Sequence, residues 1–222
     1  MDTLKLDLDT LVEENIDQKN RYLISSIYID QPINRQLNLI KQISSEYKNI
    51  GILYGERSIF QRINNTRQIE KNGYISTNVF IGKTAELISE TQKIVETVDV
   101  LLSIPDHNIY NRRSIKGILL TTYRKKIPVI GYSKAYVKAG ALAAIYSSAE
   151  GISRQAIELV NTIKTNNFST SILSYPQYFD IAFNRSVAHS LNIQLPRKND
   201  LIRKIQRIEA RTDYQPITQG RK

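Results

Sequence analysis

The sequence predicts an α/β fold, a parallel sheet flanked by helices, and three observations carry that prediction. Strand-like and helix-like segments alternate between Lys48 and Tyr132, with five strands expected there. The strand-like runs are short and apolar throughout, as strands covered on both faces must be. They end in turn-forming or polar residues, the arrangement that lines a ligand crevice at the carboxyl ends of a parallel sheet.

Taken in order, residues 30–43 read as a helix. Asp30 is placed to cap it, Pro32 is tolerated in the first turn, and Ile33, Leu37, Ile40 and Ile43 form one apolar face. Ile50 to Tyr54 is a buried strand stopped at Gly55. A helix over 58–71 closes at Asn72-Gly73, and a strand follows over 74–81. Leu87, Ile88, Thr91, Ile94, Val95 and Val98 recur at helical spacing. Val100 to Ile104 is the next strand, ended by Pro105-Asp106. Asn108 is placed to cap a helix whose Ile115, Ile118, Leu119 and Tyr123 face inward, with Arg124, Lys125 and Lys126 at the end where cations suit the helix dipole. Ile127 to Tyr132 is a strand, and a small apolar run from Ala139 to Ile145 follows. Ser147 and Glu150 suggest a capping box for a helix reaching Lys164. Phe179, Ile181 and Phe183 alternate with Asp180 and Ala182 as in a strand, and a short helix and a basic amphipathic helix with Leu201, Ile205 and Ile208 finish the chain.

Composition narrows the function classes. The 222 residues are 41% hydrophobic and 23% charged, ordinary for a globular chain with a sizeable core. No apolar run approaches the ~20 residues of a membrane span. The N-terminus is acidic and lacks the apolar stretch of an export signal. Cysteine is absent, which removes disulfides, thiol catalysis and thiolate metal sites. The net charge is +10, concentrated after Arg197 and between Asp106 and Glu150, where no acidic residue intervenes. Such patches fit nucleic acid, anionic lipid or an acidic protein, or a solvated surface. The tail after Arg197 lacks aromatic interleaving and any reading motif, so no specific nucleic-acid partner is expected.

No enzyme is expected. Gly82-Lys83-Thr84 resembles the end of a phosphate loop, but Thr77 stands where the second glycine is needed. His107 and His189 have no carboxylate at metal-ligand spacing, no nucleophile elbow occurs, and neither a metal nor a cofactor is called for. The best candidate site runs from Ile104 to Tyr110, where a strand gives way to a helix. There Asp106 suits a ligand ammonium, and Asn108 with nearby amides suits a carboxylate; both residues also suit plain helix capping. Tyr54, Tyr110, Tyr132 and Tyr146 fall at or near strand or loop ends, where a phenol offers a flat apolar face and a polar tip.

The stretches DQPINRQLNLIKQI with NIGILYGERS, VDVLLSIPDHNIYN, IPVIGYSKAYVKAGALAAIYSSAEGISRQAIEL and FDIAFNRSVAHSLNIQLP resemble, in order and spacing, the substrate-binding proteins of ABC transporters related to tryptophan- and tyrosine-binding members. The resemblance implies a type 1 periplasmic binding protein fold: Rossmann-like lobes closing on a small, amino-acid-like or aromatic solute in an inter-lobe cleft, with permease subunits as partners and a periplasmic location. It implies ligand-binding positions at Tyr54, Ser58, Asp106, His107, Asn108, Tyr110, Ser133 and Tyr146. By that pattern the second lobe is complete and the first largely missing, with no signal peptide, hence cytoplasmic if made as it stands. The expected organisation is an acidic segment over 1–29, the ligand-binding lobe over 30–136, a hinge return with a helix of the other lobe over 137–167, a returning strand and short helix over 168–196, and a basic tail over 197–222. The Ile152, Ile157, Leu159 and Val160 face would then need a partner or a second copy to cover it, so the chain is expected either to form a homodimer or to be poorly stable. The competing reading is a ligand-sensing or interaction module without transport.

Overall fold

The computed structural model describes residues 25–166 and 170–211, with short backbone strands at 2–3 and 217–220. Most of the acidic segment over 1–29 and the end of the basic tail lie outside the described residues. The chain divides into two units.

The larger unit comprises Pro32–Tyr146 and Ile181–Ile208. It begins with α1 (Ile33–Ile43), whose N-cap position is held by Pro32 rather than by Asp30 as expected. Then come β3 (Asn49–Tyr54), a 3-10 turn at Ile59–Gln61, α2 (Arg62–Lys71), β4 (Ile75–Phe80), a 3-10 turn at Thr84–Glu86, α3 (Leu87–Ile94) and β5 (Val100–Leu102). These are followed by α4 (Ile115–Arg124), β6 (Val129–Gly131), α5 (Lys134–Ala139) and β7 (Ala143–Tyr146). β9 (Asp180–Phe183), α7 (Arg185–Ser190) and α8 (Lys198–Arg211) complete the set. Four strands lie between Lys48 and Tyr132 rather than five. The small residues of the Ala139–Ile145 run make a further strand, β7, so the unit continues past 136.

The sheet order is β4-β3-β5-β6-β7-β9, with the first five strands parallel. The chain runs from β3 outward to β4, then crosses back over β3 to β5 and continues the other way. Right-handed crossovers therefore place α2 on one face and α3, α4 and α5 on the other. Leu53, Leu101 and Val129 of the sheet pack with Ile94, Val98, Ile118, Leu119 and Tyr136 in one buried cluster. Gly51 permits the close approach of α3: a Cβ there would lie 3.1 Å from Ile94 and Val98. Tyr123 is exposed and not in this cluster, contrary to expectation, because α4 starts at Ile115 and its buried stripe is Ile118, Leu119 and Thr122.

The smaller unit comprises 1–31, 147–180 and 209–222. It holds a four-stranded sheet, β1 (Asp2–Thr3), β2 (Ser26–Tyr28), β8 (Thr170–Ser174) and β10 (Ile217–Gly220), in the order β1-β2-β8-β10. Helix α6 (Ala149–Thr165) packs on β2 and β8. Its N-cap is Ser148, which accepts from the Gly151 amide at 3.1 Å; the expected cap Ser147 instead donates to the Tyr178 carbonyl at 2.7 Å. The buried Gln155 amide is fully engaged, donating to Ser174 and the Tyr175 carbonyl and accepting from the Gln177 amide at 2.7 Å. On the helix face named above, Ile152 is buried and Leu159 half-buried, while Ile157 and Val160 are exposed.

Candidate functional site

The chain reverses its direction of travel across the sheet between β3 and β5, and the loops leaving these two strands diverge. In open α/β sheets, ligands bind at the carboxyl ends of the strands at such a point of reversal. Asp106 fastens the two loops together. Its Oδ2 accepts from the Ser58 hydroxyl at 2.6 Å and the Gly55 amide at 3.1 Å, and its Oδ1 accepts from the Asn108 amide at 2.8 Å. The residue is only 4% exposed, so its charge is held by these three donors. Glycine at 55 is required by the contact, since a Cβ would lie 2.8 Å from Oδ2. Ser58 is also buried and receives the Gly55 amide at 3.1 Å.

Asn108 does not cap a helix. Its amide closes a turn on Asp106, and α4 begins seven residues later. Asn111 serves the start of α4 instead, its Oδ1 accepting from the amides of Arg113 and Ser114 at 2.9 and 3.2 Å. His107 and Asn108 are exposed and line a groove of about 690 Å³ with Thr84, Asn111, Arg112 and Arg113. Gly82, Lys83 and Thr84 are exposed, and Thr84 shares the rim of this groove.

The tyrosines fall into two sets. Tyr54 and Tyr110 are buried, so their rings lie beneath the surface and do not offer the stacking faces expected of them. Tyr54 points toward α2, where its phenol accepts from Asn65 at 3.3 Å. Tyr110 packs edge-on against Tyr132 and Tyr136, with ring centroids 6.3 and 5.7 Å away, and Tyr132 and Tyr136 stand 4.8 Å apart. The hydroxyls of Ser103, Tyr110 and Tyr136 are buried. Ser103 neighbours Tyr110 and Tyr132 neighbours Tyr136, but the buried hydroxyls close no hydrogen bond of good geometry. Ser133 caps α5, accepting from the Tyr136 amide at 3.4 Å, and is half-buried. Tyr146 ends β7 and is half-buried. The structure thus brings Ser58, Asp106, His107 and Asn108 together. Tyr54 and Tyr110 lie beneath them on opposite sides of the sheet, and Ser133 and Tyr146 lie farther along the same edge.

Burial raises the tyrosine pKa values. Tyr54 is pushed up to about 12, Tyr110 and Tyr136 go higher still, and Tyr132 is raised as well. Unfolded tyrosines ionise near 10, whereas these keep their protons in the fold, so the unfolded state binds fewer protons above that pH. Stability is therefore unaffected by these groups below pH 10 and falls as the pH rises toward and past 12. In an alkaline titration the exposed tyrosines, Tyr123 among them, should ionise without loss of circular dichroism, and the remaining tyrosinate absorbance should appear together with that loss in one cooperative step. Complete tyrosinate absorbance in a still-folded protein would contradict this.

Sequence reasoning missed Gly55, Asn65, Ser103 and Tyr136. Gly55 carries a visible signal, a glycine directly after a buried strand; the others become apparent only when separate helices and strands meet.

The fold is shared with solved structures. A domain protein from Vibrio cholerae aligns with a TM-score of 0.63 and 23% identity over 81% of this chain and 60% of that one. The ABC domain from Streptococcus pneumonia solved in complex with L-Trp gives 0.62 and 19% over 81% and 61%. A ligand-free, open substrate-binding protein with adhesive properties from Clostridium difficile gives 0.64 and 22% over 78% and 59%. The chain spans about three-fifths of the length of each. No curated protein matches it in sequence. A family model described as ABC transporter substrate binding protein matches residues 13–202, most of the chain, and the chain belongs to that family.

Proposed function

We propose that the chain serves as the solute-binding component of an ABC-type uptake system and takes a small organic solute, amino-acid-like or aromatic, at the strand ends of its larger unit. The observation that carries this reading is the buried Asp106 tie at the point where the chain reverses across the sheet. It holds two loops in register and presents exposed His107 and Asn108 beside an open groove. Burial separates the roles. His107, Asn108, Ser133 and Tyr146 would meet the ligand, while Tyr54, Ser58, Asp106 and Tyr110 would hold them in place. The L-Trp bound by the structurally similar Streptococcus domain belongs to the ligand class proposed. Family membership supports delivery to permease subunits on the outer side of a membrane, and a binding rather than an enzymatic role. Among the described residues no helix is long and apolar enough to cross a membrane.

A thermal-shift screen against amino acids and small aromatic metabolites tests the proposal. One compound class should raise the melting temperature saturably with concentration. A sharp melt that no compound in either class displaces would refute the solute-binding reading.

A further inference from the structure

Strand β4 ends the six-stranded sheet, and its outer edge has properties that the solute-binding reading does not use. The amides of Ile75 and Ile81 donate inward, to the carbonyls of Lys48 and Tyr54, each at 2.8 Å. Strand alternation then directs the N–H and C=O groups of Ser76, Asn78 and Phe80 outward. Among the described residues no strand pairs with that edge. Edges of this kind are ordinarily blunted by a lysine, a proline or a bulge. The sequence Ile-Ser-Thr-Asn-Val-Phe has no charge and no proline. Large apolar side chains are exposed on β4 itself and on the segment that leads into and begins α2: Ile75 and Phe80, and Phe60 and Ile63, are between 49% and 65% exposed.

We propose that this edge is an interface for a second copy of the chain, joined by antiparallel pairing of β4 with β4 into one sheet through both copies. The surface is self-complementary about a two-fold axis at Asn78. Only outward-facing residues can exchange ladder hydrogen bonds, and the register that engages all three sets Asn78 against its own copy and Ser76 of one chain opposite Phe80 of the other. The axis also passes near Thr66, because Asn78 donates to the Thr66 hydroxyl at 2.9 Å. On α2, Arg62 and Glu70 stand one turn before and one turn after Thr66, both exposed and in no ion pair among the described residues. The two-fold brings Arg62 of each copy toward Glu70 of the other. A shallow depression of about 320 Å³ lined by Arg62, Ile63, Thr66, Arg67 and Glu70 lies on that helix face, and the apolar Ile63 and Phe60 of the second copy are suited to fill it. The interface is distinct from the α6 face of the smaller unit.

Sedimentation velocity on the full chain at tens of micromolar tests the proposal. A dimer is expected. Ser76→Pro removes an outward amide without touching the inward ladder, and Phe80→Lys places a charge on the edge; each should yield a folded monomer. Arg62→Glu and Glu70→Arg should each weaken association about tenfold, and the double exchange should restore it. Amide exchange should be slow at Ser76, Asn78 and Phe80 in the dimer. A monomer throughout the concentration range overturns the proposal, and so does a dimer indifferent to all four substitutions.

Discussion

Replacing Asp106 by Ala should destabilise the larger unit by about 3 kcal/mol, because three buried or half-buried donors lose a charged acceptor at once. Ser58→Ala should cost about 1 kcal/mol, since the Gly55 and Asn108 amides keep their carboxylate. Urea unfolding of the two variants checks the ranking. Equal losses would mean that the serine, not the carboxylate, ties the loops. Asp106→Ala should also weaken solute binding by about tenfold or more, acting through the position of His107 and Asn108 rather than through a lost ligand contact. Titration calorimetry reads that effect, and unchanged affinity would separate Asp106 from the site.

Gly131→Ala should cost about 2–3 kcal/mol and disturb the tyrosine cluster. A Cβ at 131 would stand 2.6 Å from Cβ of Tyr136 and 3.2 Å from two of its ring atoms. A Cβ is fixed by its backbone, so relief requires α5 to move away from β6. Gly117→Ala meets a contact of the same length with the opposite consequence. There the 2.6 Å neighbour is Cδ1 of Ile88, the free end of a partly exposed side chain that can turn aside. Glycine inside α4 also gives way to a better helix former, a gain of up to about 1 kcal/mol, so the substitution should be neutral or stabilising. Thermal unfolding with near-ultraviolet circular dichroism tells the two apart. A Gly131→Ala protein with unchanged melting and aromatic signal would show that α5 packs more loosely than the contact requires.

Much of this was legible in the residues. Ile50 to Tyr54, Val100 to Ile104 and Ile127 to Tyr132 read as strands and contain β3 residues 50–54, β5 and β6, and the reversal between β3 and β5 follows from their pairing. The errors were local. Asn108 reads as a helix cap in the sequence because a strand end, an Asp and an Asn look alike whether the helix starts at once or seven residues later. Ser147 lost its capping role to Ser148 because a neighbouring carbonyl, that of Tyr178, was in reach. The loops after β3 and β5 are legible in the sequence, but which of their side chains are buried is not. That Tyr54 and Tyr110 are buried depends on α2 and α5 covering them, contacts spanning 11 to 26 residues that no local pattern encodes. The exposed β4 edge was equally hidden, since strand order, not sequence order, makes an edge.

The central claim is that a solute binds where the β3 and β5 loops are tied, and amide hydrogen exchange with and without a saturating thermal-shift ligand tests it most directly. Slowed exchange at Gly55, Ser58, His107 and Asn108, with β4 unchanged, is the predicted result. A ligand that binds yet leaves those amides exchanging as before would contradict the assignment of the site.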